Sequence, residues 1–180
     1  MDVIRSLRPN LSREQALARW RRPGFLGRWL GRGPLRSLAE VYVPFRLYHV
    51  EIRNAGKCDR RLLALDSVTG TLDLYGFDHV PEAEETIAVE TRNHPRPAID
   101  ADRARDLVVE KVRRLLFLTG FFRIRDLTVR VEPLDFEFYV PYWVGFFGRG
   151  QSPRLAVLDA VRGSPEGAKM RALLHDWLAH

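Results

Sequence analysis

A single cysteine, Cys58, stands in 180 residues, so the chain can close no internal disulfide and build no cysteine metal cage. That scarcity fits a reducing compartment. No stretch approaches the roughly 20 consecutive apolar residues of a membrane-spanning helix, and residues 1 to 15 lack the continuous apolar centre of a secretory signal. These absences predict a cytoplasmic chain, in which the glycosylation tripeptide Asn10-Leu11-Ser12 has no use. A Gly-x-Ser-x-Gly elbow, a phosphate loop and a dinucleotide fingerprint are also missing. The histidines at 49, 79, 94, 175 and 180 have no metal-ligand spacing. The expectation is therefore a chain that is not an enzyme, with no catalytic residue, no metal and no cofactor.

What the sequence does contain is a long-period repetition. Tyr42-Val43-Pro44-Phe45 returns as Tyr139-Val140-Pro141-Tyr142, and residues 61 to 70 (RLLALDSVTG) return at 154 to 163 (RLAVLDAVRG) with six of ten positions identical. A repeat of this period predicts a duplicated structural unit. Its residues are hydrophobic and turn-forming, so they speak to the fold before any reaction. Asp66 and Asp159 are the acids placed equivalently in both copies. They offer either a pair of carboxylates for acid-base work or a turn-capping acid in each copy. The Val and Gly that follow each at turn spacing favour the second reading.

Charge is concentrated at one end. Residues 1 to 36 hold nine arginines against Asp2 and Glu14, a net of +7, so the other 144 residues carry −1 of the chain's +6. This predicts a local cationic arm rather than a broad nucleic-acid surface. Ser12 and Gln15 form a capping box, with Leu11 and Ala16 as its hydrophobic staple, for a helix over residues 12 to 21. After Pro23-Gly24, Phe25, Leu26, Trp29 and Leu30 recur at helical spacing between arginines. Arg28, Trp29 and Arg32 are the candidate contact there, for a membrane surface or for nucleic acid. The alternative is that these aromatics cover the protein's own sheet.

Residues 39 to 52 suit an extended strand with Pro44 at an edge, followed by a hairpin tip at 54 to 59, a strand over 61 to 66, a turn at 66 to 70 and a strand over 71 to 75. Glu82, Glu84, Glu85 and Glu90 mark a polar stretch that ends in Pro95-Arg96-Pro97, where the division between copies is expected. Asp100 or Asp102 then caps a long helix with the stripe Ala104, Leu107, Val108, Val112, Leu115 and Leu116, closing at Gly120. Alternation at 127 to 131 and again at 134 to 140 reads as two half-buried strands. A last helix starting at Ser164-Pro165 presents Met170, Leu173, Leu174, Trp177 and Leu178 on one face.

The capped helix with Ala16 and Leu17, the strand from Tyr48 to Ile52 and the segment Leu65-Asp66-Ser67-Val68-Thr69-Gly70-Thr71-Leu72 together resemble a PepSY-like unit, a cystatin-like arrangement of one helix over a curved antiparallel sheet. The likeness covers about two thirds of the chain. It implies binding, inhibitory or regulatory roles and brings no catalytic residues. Two departures stand against it: such units are common outside the cytoplasm, and Arg162 replaces Thr69 in the second copy.

The expected architecture is α+β: two related units, each a helix on a curved antiparallel sheet, with an additional C-terminal helix. The expected divisions are a basic helical arm at 1–36, a first unit at 37–97 and a second at 98–180. Tyr139, Tyr142, Trp143, Phe146 and Phe147 form the candidate binding face, because consecutive aromatics in a strand point to both sides of a sheet and one side must lie outside the unit's core. The functional expectation is a non-catalytic module for a protein partner. The alternatives are a small-molecule binder or enzyme with a pocket between helix and sheet, and a membrane or nucleic-acid contact through the arm.

Overall fold

The computed structural model describes residues 1–21, 33–73, 77–120, 126–149 and 153–179. Along the chain these form β1 (Asp2–Leu7), α1 (Arg13–Arg21), β2 (Leu35–Asn54), β3 (Lys57–Asp66), β4 (Thr86–Thr91), α2 (Ala101–Gly120), β5 (Thr128–Phe147), β6 (Arg154–Asp159) and α3 (Ala168–Leu178). A 3-10 turn at Ala83–Glu85 precedes β4. The fold is thus α+β. The strands hydrogen-bond in the order β3-β2-β5-β1-β4, and β6 also pairs with β5. Pairs β1–β4, β2–β3 and β5–β6 are antiparallel, whereas β1 meets β5 in parallel at Ser6 and Tyr139.

Two compact units share the chain. One gathers Met1–Val43, Ala83–Pro95 and Tyr139–His180; the other gathers Pro44–Glu82 and Arg96–Phe138. In the second, the Asp100 carboxylate accepts the Arg103 amide at 2.8 Å and starts α2. Ala104, Val108 and Val112, one turn apart, are buried against Tyr48, Val50, Ile52, Leu63 and Leu65. Burying each large apolar side chain there contributes roughly 1.5–3 kcal/mol. The β2–β3 hairpin turns on Ala55 and Gly56, both at positive φ (49° and 76°), between the paired residues Asn54 and Lys57. Two positive-φ residues match the twist of the flanking strands, so β3 starts at Lys57 rather than at the expected Arg61.

In the first unit, the Ser12 amide donates to Gln15 Oε1 at 2.8 Å and the Gln15 amide to Ser12 Oγ at 3.3 Å, closing the capping box. Leu11, Ala16 and Trp20 bury together with Trp143, Phe147 and Leu158. β1 was not legible as a strand, since Val3-Ile4 and Ser6-Leu7 blur its alternation, yet only Ile4, Ser6 and Leu7 turn inward. β5 is one strand where two were expected. The buried positions change parity between Val131 and Phe138, across exposed Glu132 and Pro133, and proline's fixed φ is compatible with extended backbone. Ser164-Pro165 does not begin α3; Pro165 bridges Leu158 and the helix starts after Gly167.

The repeated segments share a set of hydrogen bonds. Asp66 Oδ1 accepts the amides of Val68 and Thr69 at 3.0 and 2.6 Å, as Asp159 Oδ1 accepts those of Val161 and Arg162 at 2.7 and 2.8 Å. Ser67 donates to the Pro44 carbonyl and Ala160 to that of Pro141. Gly70 and Gly163 adopt φ of 71° and 68° and donate to the carbonyls of Asp66 and Asp159. Phe45 pairs with Asp66 just as Tyr142 pairs with Asp159.

Candidate functional site

Among the described residues, the outer face of α2 carries large apolar side chains that are open to solvent. Leu115-Leu116-Phe117-Leu118 are four successive apolar residues, and at about 100° per residue they cannot all face one core. Leu115 and Leu116 pack inward with the buried cluster. Phe117 and Leu118 remain 44% and 74% exposed. They line an open trough of ≈530 Å³ with Asp106, Val109, Glu110, Arg113 and Arg114. Acidic groups stand at its start along the helix and guanidinium groups beside its apolar end. The four-residue run was the sequence signal for this surface, but the expected stripe stopped at Leu116.

The expected aromatic site is distributed differently. Tyr142, Trp143 and Phe147 are buried, and Tyr139 and Phe146 are half-buried. Trp143 Nε1 donates to the Leu11 carbonyl at 2.8 Å, and Phe147 meets Trp20 edge to face at 5.8 Å. Trp143 and Phe147 thus pack within their own unit. Arg28, Trp29 and Arg32 lie outside the described residues.

A polar group of side chains lies close to Tyr139. His94, 8% exposed at its side chain, stands edge-on to the Tyr139 ring at 5.4 Å and 3.1 Å from Asp2 through Nε2. Asn93 Nδ2 donates to the Glu40 carbonyl at 3.3 Å. Partial burial raises the Glu40 carboxyl above its usual range, with its hydrogen bond to Tyr42 opposing. Burial and then the Glu40 charge push the Tyr42 phenol far up. Because the folded Glu40 holds its proton more tightly than the unfolded one, its contribution is fully present below its unfolded value near 4.5 and is lost as pH rises through the raised value. Glu40→Gln should therefore flatten the fall in stability between those two values, as read by urea unfolding at closely spaced pH. An unchanged slope would remove Glu40 from that role.

Asp66 and Asp159 are buried turn acids, held by the bonds described above. Among the described residues, no group of three His, Cys, Asp or Glu side chains could hold a metal ion. Cys58 is exposed. Under α2, between Ile52, Leu63, Leu72, Val112 and Leu115, lies a cavity of ≈50 Å³. Ligand sites are commonly about 300–1,000 Å³, several times the volume of this space. Neither Asp66 nor His49 lines it. No described helix is long and apolar enough to cross a membrane. The chain matches no family model, no curated protein and no solved structure.

Proposed function

We propose that the protein is a non-catalytic binding module that receives a segment of a partner protein on the outer face of α2. The observation carrying this reading is the exposure of Phe117 and Leu118 beside Arg113 and Arg114. Exposed apolar surface edged by charge is the composition of a recognition patch. The fitting partner segment brings an apolar side chain to Leu118 and carboxylates to the two guanidinium groups. Peptides selected by display against the full chain provide the test. Binding of the selected peptides should fall by about tenfold or more, about 1.4 kcal/mol, in Arg113→Glu/Leu118→Asp, with the melting curve unchanged. Selected peptides that bind the variant equally well would overturn the reading; binding to anionic vesicles or nucleic acid instead would move function to the arginines of residues 1 to 36.

The repeated hairpin-and-turn segments are, in this reading, copies of one ancestral unit of the PepSY-like kind. The paired hydrogen bonds of Asp66 and Asp159 support the duplication. Such a framework serves to present α2 rather than to perform chemistry.

A further inference from the structure

The two strands that end the sheet order are finished differently. β3 is covered along its second half, where Phe77 donates to the Leu62 carbonyl at 2.9 Å and Asp73 to that of Ala64 at 2.8 Å. Its first half carries Lys57, Asp59, Arg60 and Arg61, and charge of this kind blocks edge pairing. β4 has neither protection. It pairs with β1 on one side, and among the described residues no strand pairs with its other side. Its sequence Thr86-Ile87-Ala88-Val89-Glu90-Thr91 holds four β-branched residues, no proline, no glycine and one charge. Beside it on β1, Val3, the partner of Glu90, is 75% exposed, and Met1 is 85% exposed.

We propose that β4 pairs antiparallel with β4 of a second copy of this chain, joining the two sheets edge to edge. The strand is self-complementary about Ala88. A twofold axis normal to the sheet keeps the inner faces together when opposing residues share a face. Centred on Ala88, that register sets Ile87 against Val89 on the inner face and Thr86 against Glu90 on the outer. A slip that centres on Glu90 sets two carboxylates face to face, and one that centres on Ile87 sets Glu90 against Glu84. Like charges directly opposite are unfavourable, so the register about Ala88 is favoured over both. The small Ala88 side chains let the strands approach at the axis.

Sedimentation velocity on the full chain should show a dimer that dissociates on dilution. Ala88→Lys, which sets two ammonium groups opposite each other, should weaken it by about tenfold or more. Mixing Ala88→Lys with Ala88→Glu should restore association. Hydrogen exchange on the unaltered chain gives an independent reading: amides of residues 86–91 should slow as concentration rises, while those of α3 should not change. A chain that stays monomeric at about 100 µM, where even a weak pairing would register, overturns the proposal. So does a dimer whose 86–91 amides exchange at the monomer's rate, or one that Ala88→Lys leaves intact.

Discussion

Replacing Asp66 with alanine should cost about 3 kcal/mol of stability and leave peptide binding at α2 unchanged. The carboxylate is 1% exposed and accepts four hydrogen bonds. Oδ1 takes the amides of Val68 and Thr69; Oδ2 takes the Thr71 amide at 2.7 Å and the Thr69 hydroxyl at 2.8 Å. Each buried donor left without a partner costs about 1–3 kcal/mol, and water entering the vacated space recovers part of the total. Asp66→Asn keeps one acceptor oxygen but aims an amide donor at a donor, so an intermediate loss of about 1–2 kcal/mol is expected. Asp159→Ala removes two amide bonds and the 3.2 Å contact with Arg162, among others, and should likewise destabilise the fold. Urea unfolding measures all three. A loss below about 1 kcal/mol for Asp66→Ala would mean that the turn is held by its backbone alone.

The second large effect belongs to Phe138, which is fully buried. It stacks on Phe45 at 6.1 Å, meets Phe77 edge-on at 5.7 Å and tilts against Phe136 at 5.5 Å. Phe138→Ala empties the centre of this group and should cost about 3–5 kcal/mol. Phe138→Leu keeps most of the volume but loses the ring geometry, for which about 1–2 kcal/mol is expected. The denaturation midpoints should fall in that order. Equal midpoints for the two variants would show that ring geometry, not filled volume, holds the group together.

The parts that were legible in the sequence are those whose signal is local. The Ser12–Gln15 capping box, the Ala104–Val108–Val112 stripe and the Asp66 turn each follow from a few neighbouring residues. What was not legible depends on distant partners. β1 has poor alternation and is a strand because β4 and β5 flank it. β5 read as two strands because its burial changes parity near Pro133. Which of the aromatics from Tyr139 to Phe147 are buried depends on the helix that arrives, which composition does not give; here α1 brings Trp20 against Phe147. The outer face of α2 could have been found by counting, since four apolar residues in a row exceed the width of one buried stripe.

The interleaving of the two units has a consequence for synthesis on the ribosome. All residues of the unit formed by Pro44–Glu82 and Arg96–Phe138 have been made before the last segment of the other begins at Tyr139. β4, the first partner of β1, is complete at Thr91, and Tyr139 follows 48 residues later, which at about 5–20 residues per second is roughly 2–10 s of elongation. Hairpins form in about 1–10 µs. The nascent chain therefore carries a strand with one flank paired and the other exposed for a period far longer than any local folding step, until β5 arrives to cover it.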